Sequence, residues 1–508
     1  MQNYLIKNIS LVNEGKTRVA DLLIQNGRIE KIADQISPAF AVTEINGEGK
    51  YLLPGVIDDQ VHFREPGLTH KATIYTEARA AVAGGVTSFM EMPNTLPPAF
   101  TQELLEQKYA IGARSSLANY SFYMGTSNDN AEEALRTNDK KKDVCGIKIF
   151  MGSSTGNLLV DNYLTLDRLF RDSEVLIATH CEDEKIIRQN LERIKKENRE
   201  LTAADHPLIR DEEACFESSL TAIQFAKKYG SRLHVFHLST EKEMQLFSNL
   251  LPLEEKRITT EVCVHHLHFS SDDYATLGNR IKCNPAIKAP HNREALWKAL
   301  LDDRLDLIAT DHAPHTLEEK GLVRNADGSL SPIGGDGAHA GSGRSGGGSG
   351  AHAAGGSAYE RAHAGLPLVQ HSLLLMLHYV KEGRISLEKV VEKMSHAVAT
   401  CFRIEERGYI REGYFADLVI VDMGQPSTVL GPSGGHPSAA VRVHRSTAEE
   451  QGLPQARPGN ILYKCGWSPL EGFSFPASVT HTFVNGHLVY GKEGFDESQW
   501  GRRLSFTP

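Results

Sequence analysis

The sequence predicts an α/β fold: a (β/α)8 TIM-type barrel over residues 54–405, with a small β-sandwich domain built from both chain ends, 1–53 and 406–508. Three observations predict it. Eight short apolar runs through the middle of the chain are mostly separated by segments with helical amphipathic spacing. Chemically capable polar residues recur at or just beyond the C-terminal ends of most runs, the face where barrel active sites lie. Strand-and-turn sequence at the N-terminus returns near the C-terminus, and each copy carries an Asn-Gly pair between apolar runs, a hairpin signal.

In chain order, "NYLIKNISLV", "ADLLIQNGRIEKIA" and "KYLLPG" supply the first part of the small β domain, with Asn26-Gly27 as a turn. The barrel runs follow at 55–63, 86–93, 118–125, 145–152, 175–182, 232–239, 257–266 and 305–315. Between them, "ATIYTEARAAVAGG" and "EEACFESSLTAIQFAKKYG" read as amphipathic helix. "FADLVIVD" and "SVTHTFVNGHLVYG", with a second Asn-Gly at 485–486, complete the small domain. Two stretches break the pattern. Residues 321–365 are glycine-rich and read as a flexible insert, because they cannot bury enough apolar surface to offset the entropy of ordering. Their histidines 339, 352 and 363 read as solvated, and no Gly-Lys-Ser/Thr follows to make a phosphate loop. Residues 431–459 read as a second loop excursion.

Composition narrows the function. Hydrophobic residues make up 40% and charged residues 23%, a globular balance. A net charge of −9 without a Lys/Arg run argues against nucleic acid, and no apolar run is long enough for a membrane span. Seven scattered cysteines without a Cys-x-x-Cys fit a reducing compartment, and a cytoplasmic location is expected.

His62, Lys148, His180, His237 and Asp311 fall on runs one, four, five, six and eight, so their side chains can converge on the barrel mouth. Each alone has a plainer reading: a hydrogen-bonded histidine, an ion-paired lysine, a capping aspartate. Together, neutral imidazoles and carboxylate-type oxygens suit Zn2+ or a similar divalent ion. A lysine ammonium has no lone pair to offer, but a carbamate formed from Lys148 and CO2 can ligate.

The motifs "HFREPG" (62–67), "GGVTSFMEMPNT" (84–95), "GIKIFMGSSTG" (146–156), "ATHCE" (178–182), "HVFHLSTEKE" (234–243), "TEVCVHHL" (260–267), "NRIKCNPAIK" (279–288) and "IATDHAPH" (308–315) resemble those of the dihydroorotases of the cyclic amidohydrolase superfamily. The resemblance covers nearly the whole chain except the two excursions. It implies reversible hydrolysis of L-dihydroorotate to N-carbamoyl-L-aspartate in pyrimidine synthesis. Metal-activated water would attack the ring amide, and Asp311 would take its proton and pass it to the leaving nitrogen. It further implies that Arg64, Asn94 and His315 hold the substrate's α-carboxylate and that Asn284 contacts the ring. His266 reads either as support behind the metal ligands or as packing. A homo-oligomer, dimer or tetramer, is expected.

Gln60 departs from the pattern by standing first in the expected His-x-His pair. A neutral amide oxygen suits zinc less well than imidazole, so one firm metal at Lys148, His180 and His237 is expected, with weaker occupancy at His62 and Asp311. The rival readings are an allantoinase, a dihydropyrimidinase or hydantoinase, and a non-catalytic partner protein.

Overall fold

The computed structural model describes residues 2–152, 157–325, 328–333, 357–432 and 459–508. Eight parallel strand positions form the barrel. They are Val56–Val61, Val86–Glu91, Asn119–Phe122 with Met124–Gly125, Ile147–Phe150, Ile177–His180, Leu233–Val235, Ile258–Cys263 and Leu307–Ala309. Consecutive strands pair in parallel, and Met124 and Gly125 join the third strand to the fourth. The ring closes between the last strand and the first, where Val61 bridges His312 and the His62 N–H donates to the His312 carbonyl at 2.7 Å. These strands are buried almost throughout, as parallel strands covered on both faces must be.

The helices around the barrel start at residues that satisfy their free N–H groups. Thr73, Asn162, Asp183 and Asp211 each accept from the first turn of the helix that follows. Gly230 ends the longest of them, Glu212–Tyr229, at φ 67°, a left-handed conformation that suits glycine. Between strands six and seven the outer layer shrinks to two 3-10 turns, Lys242–Leu246 and Leu253–Glu255.

Both chain ends build one nine-stranded sheet. Strand Leu418–Asp422 pairs with Tyr51–Pro54 on one side and Ser478–Val484 on the other, so the two halves meet there. Both expected Asn-Gly turns form: Asn26 and Gly27 at φ 52° and 82°, Asn485 and Gly486 at 51° and 75°. Gly55 links this sheet to the first barrel strand, and a Cβ there would lie 2.0 Å from the Thr87 hydroxyl. A buried polar knot fixes the joint. Arg407 pairs with Asp417, Asn119 of the third barrel strand donates to Asp417 at 3.1 Å, and Asn485 donates to Asn119 at 2.8 Å.

Much of the expected flexible insert, 334–356 with His339 and His352, lies outside the described residues, as does 433–458 of the second excursion. The described flanks of 321–365 are regular elements. Leu322–Arg324 pairs with Leu330–Pro332, and Ala358–Arg361 is a helical turn capped by Ser357. Buried Tyr359 and the Lys282 ammonium, which donates to the Tyr359 and Ala362 carbonyls at 2.7 and 2.6 Å, tie that turn to the barrel. Among the described residues no helix is long and apolar enough to cross a membrane.

Candidate active site at the barrel mouth

His62 follows the first barrel strand directly, and Asp311 lies two residues beyond the eighth. Their side chains meet: His62 Nε2 is 3.0 Å from Asp311 Oδ1, and His62 Nδ1 is 2.7 Å from the Asn94 amide oxygen. Burial holds the His62 ring below its usual pKa, so it is neutral and has one proton to give. With Nδ1–H given to Asn94, the Nε2 lone pair faces a carboxylate oxygen, a contact that a divalent ion would resolve. Gln60 does not extend this pair as a free ligand. Its Nε2 donates to Asp311 Oδ1 at 3.3 Å, and its Oε1 lies 3.6 Å from the Cys263 thiol.

A second pair forms on strands five and six. His180 ends its strand, His237 lies two residues past its own, and His180 Nδ1 is 2.9 Å from His237 Nε2. Burial, with His180 alongside, pushes the His237 ring well below the usual range, and its Nδ1 has no hydrogen-bond partner. His180 Nε2 is 3.0 Å from Glu182, which pairs in turn with Arg210. Burial alone would raise Glu182, but Arg210 and His180 hold it down at about 2.

Lys148 lies within strand four, not at its end. The ammonium is fully buried, has no hydrogen-bond partner, and sits 4.1 Å from the Phe236 ring and 4.6 Å from the Phe150 ring. Burial pushes it down to about 7, so a large fraction is the neutral amine near neutral pH. Orphaned atoms on Lys148 and His237 beside the His180 imidazole make a donor set that fits a divalent ion.

Arg64 is buried and reaches toward the loop after strand eight. Its Nε donates to the Pro314 carbonyl at 3.1 Å, and its Nη2 lies 3.1 Å from His315 Nε2. Lys71 approaches the other His315 nitrogen at 3.1 Å and pairs with Glu319 at 3.0 Å. Asn284 stands apart from this group, its Oδ1 3.0 Å from His206 Nε2. His266 lies in the short helix after strand seven, its Nε2 3.2 Å from the Pro285 carbonyl and its Nδ1 without a partner.

Arg64, His237 and Asp311 adopt left-handed backbone at φ 68°, 40° and 47°. Each such residue stores roughly 1–3 kcal/mol that the surroundings must offset. Two supports are visible. The Phe63 N–H donates to Glu91 at 2.9 Å, and Glu91 pairs with buried Lys108 at 3.0 Å, which pins the turn before Arg64. His312 binds Glu77 at 2.8 Å and accepts from the Leu368 N–H at 2.9 Å, which pins the turn after Asp311.

The sequence reading left Glu182, Arg210, Lys71, Glu319, Glu91 and Lys108 without roles. Of these, Glu182 and Glu91 lie inside the motifs, Glu182 two residues past His180 in "ATHCE" and Glu91 in "GGVTSFMEMPNT". Among the described residues, three groups bring ligand-type atoms within 4.8 Å of one another: Cys263 with His265 and His266; His315 with Glu319 and His363; Asp59 with His234 and Glu261. The sequence reading did not assemble any of them.

Residues 51–489 match the profile of the amidohydrolase family. A dihydroorotase of Methanosarcina acetivorans is 28% identical across 98% of this chain and 94% of its own length. One from Carboxydothermus hydrogenoformans is 30% identical across 82% of this chain and 88% of its own. Among solved structures, the L-hydantoinase (dihydropyrimidinase) of Arthrobacter aurescens superposes with a TM-score of 0.81 at 22% identity, covering 99% of this chain and 100% of that one. The dihydropyrimidinase of Brevibacillus agri does so with a TM-score of 0.77 at 20% identity, covering 100% of both chains. At those identities the superpositions establish the barrel fold.

Proposed function

The chain belongs to the amidohydrolase family, and from that premise we propose that this cyclic amidohydrolase is a dihydroorotase, interconverting L-dihydroorotate and N-carbamoyl-L-aspartate. The observation that carries the substrate is Arg64, a buried guanidinium at the barrel mouth with only part of its donor set engaged. Five N–H groups are available on a guanidinium, and Nε–H with one Nη2–H meet Pro314 and His315. The remaining fork accepts a carboxylate in bidentate fashion, which dihydroorotate carries and simpler cyclic ureides lack. His315, which touches Arg64, and Asn94, which touches His62, are assigned to the same carboxylate, and Asn284 is assigned to the ring.

His62, Lys148, His180, His237 and Asp311 are assigned to hold zinc, firmly at the Lys148–His180–His237 end, with Lys148 as the carbamate. When bound, the ion supplies Lewis-acid polarisation and makes water acidic near neutral pH. The protein's own share is positioning and proton transfer. Asp311 Oδ1 is held by Gln60 and faces His62, so Oδ2 takes the proton from water and gives it to the leaving nitrogen. Glu182 holds the His180 ring, and Arg210 keeps Glu182 ionised.

The test is loss of L-dihydroorotate absorbance with protein reconstituted in Zn2+ and bicarbonate. Turnover that Asp311→Ala abolishes supports the reading. Folded, zinc-loaded protein that turns over dihydrouracil, hydantoin or allantoin but not dihydroorotate would replace it, and inactivity on all four would favour a non-catalytic role.

A further inference from the structure

Deeper in the barrel, three residues nearer the N-terminal ends of their strands than His62 and His237, stand Asp59 and His234. Glu261 of strand seven meets them there. All three side chains are 0% exposed. His234 Nε2 lies 3.4 Å from Asp59 Oδ2 and 3.2 Å from Glu261 Oε2. Neither Asp59 oxygen has a hydrogen-bond partner. Glu261 Oε1 accepts from the His237 backbone N–H at 3.3 Å, and the Asp59 and Glu261 carboxyl groups lie within hydrogen-bond reach of each other.

Burial raises both carboxyls above the ordinary carboxylate range, so charge on both at once would have to be offset by protons or by a cation. One ring proton on His234 could satisfy a single oxygen among four. The Lys148 ammonium is itself without a hydrogen-bond partner, so it does not close the deficit by direct contact. A divalent cation would. With metal–ligand distances of about 2.0–2.2 Å, neighbouring ligand atoms lie roughly 2.8–3.6 Å apart in tetrahedral or octahedral geometry. The two separations here fall in that span. The other His234 nitrogen, Nδ1, is 2.9 Å from the Thr259 hydroxyl, the kind of outer partner that orients a ligating imidazole.

We propose that Asp59, His234 and Glu261 form a buried divalent-cation site, separate from the cluster at the barrel mouth. One imidazole and two carboxylates suit zinc or manganese, and the two negative charges cancel the ion's own. The site links strands one, six and seven across the barrel interior, beneath the residues that carry His62 and His237.

Crystals of protein reconstituted with Zn2+ alone would be measured on both sides of the zinc absorption edge. An anomalous peak bounded by Asp59, His234 and Glu261 is expected, apart from any peak at His180 and His237. In solution, zinc counted by mass spectrometry after dialysis should fall by one ion per chain in Asp59→Asn and in Glu261→Gln. Anomalous maps without that peak, or an Asp59→Asn protein that keeps the full count, would overturn the proposal and leave protonated carboxylates in its place. The diffraction arm needs no variant, so a misfolded substitution does not blunt the test. Neither arm reads turnover, so the outcome is independent of the substrate assignment.

Discussion

Replacing Arg64 with methionine separates recognition of the substrate carboxylate from the chemistry beside it. Methionine retains much of the arginine stem's volume and removes the fork. Two charge-assisted hydrogen bonds of roughly 1.5–3 kcal/mol each are lost, less what water recovers, so about 3–4 kcal/mol of binding should vanish. At 1.36 kcal/mol per decade, kcat/KM for L-dihydroorotate should fall ~10²–10³-fold. The same guanidinium also braces the Pro314 carbonyl beside His315, so a displaced loop could lower activity by itself. Dihydrouracil, which has the ring without the carboxylate, reads that contribution. The rate of its hydrolysis by the same protein should change by no more than about threefold, within about 0.7 kcal/mol. The assay is initial-rate ultraviolet absorbance on both substrates with the same zinc-loaded preparations. Equal losses on the two substrates, or a loss on dihydroorotate below about tenfold, would refute the carboxylate role.

Three further outcomes follow from the same geometry. Lys148→Met should abolish turnover yet raise the metal-free protein's stability by about 1–3 kcal/mol, because an apolar chain replaces a buried, unpartnered amine; urea unfolding without zinc checks it. Arg210→Gln should cost about 3 kcal/mol or more by stranding Glu182. Glu182 is depressed from 4.5 to about 2, so its contribution is full above 4.5 and is lost as pH falls toward 2; in the variant the acid-unfolding midpoint should move upward, followed by circular dichroism. Gln60→His should tighten retention of the ion at His62 and Asp311 by about tenfold or more, measured by competition with a chelator, since imidazole is the better zinc ligand.

The barrel was legible because its eight strands are short apolar runs with chemistry at their ends, and each run contains the strand it predicts. The hairpins at Asn26-Gly27 and Asn485-Gly486 were legible for a local reason, since that pair tolerates two successive positive φ values. The candidate site residues were legible as types at or near strand ends, Lys148 excepted, and the structure brings His62 to Asp311 and His180 to His237. What holds them in place was not. Glu91 and Lys108 are 17 residues apart and Glu77 and His312 are 235 apart, and in each pair the partner, Lys108 or Glu77, lies outside the motifs. Their partners are chosen by how the barrel closes, which no local spacing records. Asp59 was hidden differently: it is one residue from Gln60, and the eye stops at the missing histidine.

That missing histidine has a different meaning once its neighbours are known. Read from sequence, Gln60 is a poorer ligand in a ligand's place. In the fold both ends of its amide are engaged, the nitrogen on Asp311 and the oxygen beside the Cys263 thiol. An amide can do both at once, whereas a histidine that ligates a metal has only one other nitrogen to offer. Gln60 therefore holds the Asp311 carboxylate from the strand-one side while His62 faces the same oxygen, and Asp311 sits on strained backbone that needs such support. Under the proposed mechanism, glutamine at this position gives the proton-transferring carboxylate an orienting hydrogen bond in place of a ligand for the ion. On this reading Gln60→His should gain metal affinity and lose part of kcat, a divergence that simple repair of a decayed site would not produce.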